Sequence, residues 1–594
     1  MFAIEKYKSV IEEQNIKNIL ASILIVYGLI SYYIFRNYIQ FCDGIVQFND
    51  RYINMLFVMI FFIMCILIGQ VNKIDVKLRI IDWLVFLIMA VCFVVSAGFQ
   101  KQDSLDFIKT DFVFVILSVI SWTYIFSRLF LVYSKYKKSE KREISQFKLM
   151  LLLLCFWLPY IIIFYPGATS WDGMYQLNQF AGVQELTNKH PIEVTYFMGA
   201  IIKFGTMIVN QEFGLFLYNI LQTLFLAYVL SYGLGLIKKI GCSDRAFFVV
   251  SALMVLVPIP LFSSYVLLKD GFYAAFCTWF CFIILKLYAE RESFMSNKVN
   301  YLLLALSELG ILFFRKNGIY VIVLSVIVLI IKEKKWKEIL TISVLCIMCF
   351  KISDGYIENY FNVAKENKAE IYSLPLQQTA RYYTYYYDEL TEKEKGALKD
   401  VINIEAMVNS YNEALSDPVK KYFNEEASDE QVSEFFKIWF RNFFRHPRVY
   451  IEAFLGNANA YIDPTAPMLS ERGFFYISHV EETDAYMFDF SVKSLENMRH
   501  TYRKTFQAGE NIAIVGLLFQ PGTYFWLLIF TTLAYIREKN QMWKCLMPLY
   551  ITFLICLVSP VNGAVRYILP LIETLPMLVI VCKTTEEKQM QIET

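Results

Sequence analysis

Long unbroken apolar runs constrain this chain more than any other feature. A run of about 20 apolar residues can fold in lipid only as a helix, because every backbone N–H and C=O must find a partner within its own segment. About fourteen such runs can be read, near 18–35, 53–70, 80–99, 111–133, 149–165, 214–236, 247–266, 272–289, 300–314, 319–332, 338–352, 512–536, 545–560 and 566–582. Of the 594 residues, 57% are hydrophobic and 19% charged, whereas soluble domains carry roughly 25% charged residues. That balance excludes a soluble enzyme and a disordered chain. A net charge of +2 leaves no basic field for nucleic acid. The expectation is an all-α polytopic membrane protein with about 14 transmembrane helices.

Basic residues orient the spans. They gather at Lys135, Lys137, Lys138, Lys141 and Arg142, at Lys238, Lys239 and Arg245, at Lys332, Lys334, Lys335 and Lys337, and at Arg537, Lys539 and Lys544. Placing these loops inside makes both termini cytoplasmic and the chain a multi-pass plasma-membrane protein. The first apolar run continues past an ordinary signal-peptide core without a cleavage site, so no cleavable signal is expected. The loop 166–213 and the polar segment 353–510 then lie outside. Most cysteines sit singly in apolar runs, and none occurs between Ser353 and Asn511, which suits a bacterial surface.

The external segment reads as mainly helical. Thr391 with Glu394, and Ser428 with Gln431, have capping-box spacing. The second box opens a helix whose Val432, Phe435, Phe436, Trp439, Phe440, Phe443 and Phe444 are expected on one buried face, ending at His446-Pro447.

Polar residues interrupt the pattern at five places. Asp172 lies in a Ser-Trp-Asp-Gly turn just past the fifth run, and His190-Pro191 follows in the same aromatic loop. The plain reading makes Asp172 a helix cap and His190 a satisfied loop residue; the chemical reading makes Asp172 a general base on one or two interfacial helices. Lys269 and Asp270 interrupt a run at its external end, as a snorkelling pair or a phosphate cation with its carboxylate. Arg315 and Asn317 form an external turn closed by Gly318, where the charge rule disfavours arginine and a phosphate would favour it. Asn562, Arg566 and Tyr567 precede the last run, with Glu573 buried within it. Gln378 and Arg381 precede a tyrosine cluster that suits either a sugar surface or an interfacial belt. Nearly all of these groups fall at one membrane face, as expected around an anionic lipid headgroup.

The strings YPGATSWDG, NKHPIE, LKDGF, RKNGIY and SPVNGAVRYILP resemble those of an uncharacterised bacterial multi-pass family within the GT-C superfamily of glycosyltransferases, which includes protein O-mannosyltransferases. The similarity covers most of the chain after about residue 150. It implies a four-helix N-terminal addition (1–148) and a GT-C-like core (149–352) with a catalytic external loop at 166–213. An extracellular helical domain (353–510) and C-terminal spans (511–594) would follow. It implies transfer of a sugar, usually with inversion, from a polyprenyl-phosphate donor in the membrane lipid to a cell-wall or surface glycan or protein. Asp172 would be the base. Lys269, Arg315 and Arg566 would hold the phosphate, and His190 would orient or donate to phosphate or sugar. Asp270, Asn317, Gln378, Arg381, Asn562 and Tyr567 complete the expected substrate-binding set. Many relatives carry an Asp-Glu pair early in the loop; here Asp172 is followed by Gly173, so no cofactor and no obligatory metal are expected. A flippase for a lipid-linked glycan, or a non-catalytic envelope-assembly protein, are the alternatives; neither an inverted repeat nor a broken midplane helix is visible to favour transport.

Overall fold

The computed structural model describes residues 20–31, 77–133, 141–257, 259–331, 336–364, 368–464, 466, 495–510, 516–538 and 541–581. The run expected at 53–70, and the basic residues Lys135, Lys137, Lys138, Lys332, Lys334, Lys335 and Lys539, lie outside them. The described chain is helical, with only isolated β-bridges beside the helices. Six of its helices are long and apolar enough to cross a membrane. This is the architecture of an all-α multi-pass membrane protein.

The helices run in the order α1 (Leu20–Ser31), α2 (Ile80–Gln102), α3 (Phe112–Tyr133), α4 (Gln146–Ile163), α5 (Trp171–Phe180), α6 (Ile192–Ile208), α7 (Gln211–Ile240), α8 (Asp244–Leu256), α9 (Asp270–Ala289), α10 (Lys298–Phe314), α11 (Gly318–Ile330) and α12 (Trp336–Tyr360). The polar segment 353–510 contributes α13 (Ser373–Tyr386), α14 (Asp429–Arg445) and α15 (Pro447–Ile462), and α16 (Pro521–Arg537), α17 (Met547–Leu557) and α18 (Leu569–Val581) follow. Helix α9 is buried almost all round by α7, α10 and α18, as a helix at the centre of a bundle must be.

Three expectations change in detail. The run near 247–266 is divided: α8 ends at Leu256 and a short helix, Ile259–Ser264, follows. The sequence places Pro258 and Pro260 there, and proline cannot continue a helix's hydrogen-bond ladder. Helix α12 runs on to Tyr360, across the boundary expected near 353. On α14 both ends fall as expected, with the Ser428–Gln431 capping box formed. Its buried stripe, however, is Val432, Phe435, Ile438 and Asn442, while Phe440 and Phe444 are 58% and 68% exposed. Five residues beyond Phe435, Phe440 is rotated about 140° around the axis, so the seven apolar positions cannot all face one core.

The polar segment has its own core, including Leu376, Tyr382, Leu398, Met407, Val419, Phe435 and Tyr450. Helix α15 then carries it back onto α2 and α16.

Candidate functional site

Local backbone geometry brings the two halves of the site together. After α4 the chain turns and forms a parallel bridge, Ala168 to Val266, with Ala168 N–H donating to Tyr265 C=O and Leu267 N–H to Ala168 C=O. Ser170 caps α5: its hydroxyl accepts from Gly173 N–H at 3.0 Å and donates to Leu267 C=O at 2.6 Å. The Asp172 turn is thereby fastened to the segment that ends in Lys269-Asp270. Gly173 is required for this approach, because a β-carbon there would lie 2.1 Å from the Leu267 carbonyl oxygen. Gly173, the neighbour of Asp172, is thus fixed by packing.

Seven of the expected residues meet at this junction. Arg566, in a 3₁₀ turn (Val565–Tyr567) just before α18, donates through Nη1 to Asp172 Oδ2 at 2.7 Å. Its Nη2 donates to Tyr567 Oη at 3.2 Å. Arg315, leaving α10 in an extended conformation, places Nε 2.9 Å from Asp270 Oδ1. The guanidinium carbons of Arg315 and Arg566 lie 4.7 and 4.9 Å from the centre of the Tyr567 ring, so both cations are within cation–π reach of the same aromatic. Lys269 Nζ is 2.9 Å from His190 Nδ1, and His190 Nε2 is 3.9 Å from Asp172 Oδ1. His190 and Lys269 are 6% exposed; Asp172 is 30% exposed in its side chain and so lies at the rim.

The charges act on one another. Burial by itself would raise the Asp172 carboxyl, but the Arg566 guanidinium and the Lys269 ammonium outweigh it and hold it well below the usual carboxylate range. Burial, and then the neighbouring Lys269 ammonium, push the His190 imidazole down to about 3, so it is neutral at pH 7. Burial also lowers the Lys269 amine, against the pull of Asp270 and Asp172.

Arg315 supplies the group best placed for an anion. Its Nε faces Asp270, while Nη1 and Nη2 have no hydrogen-bond partner among the described residues. Such a fork of open donors matches two oxygens of a phosphate.

Four expected residues stand elsewhere. Asn317 is exposed at the start of α11. Asn562 is buried as a bracket, accepting from Ala460 N–H and donating to Gly456 C=O, both at 2.8 Å. Gln378 donates to Tyr450 C=O at 3.2 Å inside the core of the polar segment. Arg381, 1% exposed, bonds to Asp103 at 2.7 Å and to Glu452 at 3.2 Å, locking α13 and α15 to the end of α2. Glu573 accepts from Thr278 Oγ1 at 2.9 Å within the bundle.

Two neighbours of the site went unread in the sequence. The Tyr273 ring lies 5.3 Å from the Arg315 guanidinium carbon, and Tyr175 meets His190 edge-on with ring centres 6.1 Å apart. Each follows a site carboxylate by three residues (Asp270 and Asp172), the spacing that puts them on the same helix face.

The family described as a family of unknown function, DUF6020, matches residues 183–594. That range takes in every member of the cluster except Asp172. No curated protein matches the chain, and no solved structure does.

Proposed function

The chain belongs to the DUF6020 family, and we propose that it is a glycosyltransferase moving a sugar from a polyprenyl-phosphate donor to a cell-envelope acceptor on the outer face of the plasma membrane. In this reading the fold is a GT-C-like core within about fourteen spans, with both termini cytoplasmic. The observation that carries the proposal is the open guanidinium fork of Arg315 beside Arg566 and within the same cluster as Asp172.

The chemistry follows from charge. Sugar transfer leaves negative charge on the departing phosphate, and preorganised cations at that point lower the barrier. Arg315 and Arg566 supply them without reorganisation of solvent. Asp172 accepts the proton of the attacking group, which adds to the anomeric carbon as the bond to phosphate breaks. When the donor phosphate engages Arg566, the Asp172 carboxylate loses part of the partner that depresses its basicity.

The test is release of polyprenyl phosphate by the purified full-length chain given polyprenyl-phosphate sugars. Release is expected, and Asp172→Asn should lower it by about a hundred- to ten-thousand-fold, the usual worth of a general base. No release from the wild type, or full release from Asp172→Asn, would overturn the reading.

A further inference from the structure

We propose that His190 and Asp172 together hold the attacking oxygen, and that Lys269 is a positioning residue that fixes which nitrogen of His190 carries the proton. The inference rests on the glycosyl-transfer reading and deepens it, because it gives His190 and Lys269 distinct roles at the acceptor oxygen.

The geometry begins with Lys269. Its Nζ lies 2.9 Å from His190 Nδ1, with both residues buried. An amine donating to Nδ1 leaves the proton of a neutral imidazole on Nε2. That Nε2 is buried and has no hydrogen-bond partner among the described residues. An unmade bond of this kind at a buried donor costs stability and calls for an explanation. The imidazole edge faces Asp172 Oδ1 at 3.9 Å, too far for a direct hydrogen bond, while Arg566 occupies the other carboxylate oxygen, Oδ2.

One oxygen atom completes this arrangement. Hydrogen bonds of about 2.9 Å from Nε2–H and about 2.7 Å to Oδ1 meet at a single atom set between groups 3.9 Å apart. That atom must accept one hydrogen bond and donate another. A hydroxyl or a water does both; a protonated amine cannot accept. In the transfer step the O–H proton passes to Asp172 and the oxygen pair forms the bond to the anomeric carbon. The electrons of the breaking C–O bond stay with the polyprenyl phosphate, and the proton then leaves Asp172 for that phosphate or for water. Lys269 is thus assigned to His190 rather than to the donor phosphate.

Two measurements test this. The first is the ¹⁵N-histidine spectrum of the full chain in phospholipid nanodiscs, where only four histidines occur and His190→Gln identifies the signal. The wild type should show His190 protonated at Nε2 at pH 7, and Lys269→Met should give a mixture of tautomers. A proton on Nδ1 in the wild type, or an unchanged signal in Lys269→Met, would overturn the proposal whether or not transfer is observed. The second is hydrolysis of a polyprenyl-phosphate sugar, with water standing in for the acceptor hydroxyl. The amide nitrogen of glutamine reaches the place of Nε2 and that of asparagine the place of Nδ1. His190→Gln should therefore retain at least ten times the kcat of His190→Asn, both with KM for donor unchanged. Equal loss in the two variants, or a tenfold weaker binding of polyprenyl phosphate by Lys269→Met, would sink it while leaving the transferase reading intact. Absence of any hydrolysis or transfer by the wild type would instead sink the transferase reading, and the acceptor assignment with it.

Discussion

Arg566 donates to Asp172 Oδ2 at 2.7 Å, so one guanidinium serves both the carboxylate proposed as base and the site proposed for phosphate. That contact helps to hold the Asp172 carboxyl below its ordinary range. Replacing Arg566 by Gln should bring the Asp172 carboxyl up toward its ordinary range and weaken binding of polyprenyl phosphate by about ten- to a hundredfold, the loss expected for a charge-assisted hydrogen bond. Equilibrium binding of labelled polyprenyl phosphate measures it, and affinity equal to wild type would remove Arg566 from the anion site.

Arg315→Ala should weaken the same ligand at least as much, because it removes a bidentate fork. Arg315→Lys should recover only part of the loss, since an ammonium is a point charge without paired donors. Full recovery by lysine would mean that charge alone matters there.

Stability should depend on pH in two windows. A depressed histidine binds more protons unfolded than folded, so its contribution is present above about 6.5, the unfolded value, and declines as pH falls toward about 3. Asp172, also depressed, contributes above its unfolded value near 3.9 and loses that contribution only at lower pH. The apparent melting temperature of the detergent-solubilised protein should fall between pH 6.5 and 4.5. His190→Gln should flatten that interval and leave the loss below pH 4. An unaltered slope in His190→Gln would show that other groups govern it.

Gly173→Ala should cost about 1–3 kcal/mol, the usual penalty of overpacking, because its β-carbon meets the Leu267 carbonyl oxygen at 2.1 Å. It should also lower catalysis by pushing Asp172 away from His190 and Arg566. Thermal shift and sugar release measure the two effects; normal values for both would show that the junction can yield.

Arg381→Ala should lower stability by about 1–3 kcal/mol, since it removes the partner of Asp103 and one of the two arginines on the buried Glu452 carboxylate, leaving Arg448 at 2.7 Å. Binding of polyprenyl phosphate by the folded fraction should stay as in the wild type. A specific loss of binding would move Arg381 into the site.

What the sequence determined by itself was local. Apolar run length pointed to an all-helical membrane chain, because lipid leaves the backbone no other partner, and six described helices are long and apolar enough to cross. Capping boxes placed the starts of the helices at Thr391 and Ser428. Polar residues at the ends of apolar runs marked Asp172, His190, Lys269, Asp270, Arg315, Arg566 and Tyr567, all of which meet. Tertiary structure decided which conspicuous residues were not part of that meeting. Arg381 and Arg315 look alike in sequence, each an arginine among aromatics. One is closed by Asp103 and Glu452 and the other keeps two open nitrogens. That difference depends on partners dozens to hundreds of residues away, as with Asp103 for Arg381 and Asp172 for Arg566, and helix periodicity holds no information about them. A buried polar group must be satisfied in either case; only the folded chain settles whether protein or ligand does so.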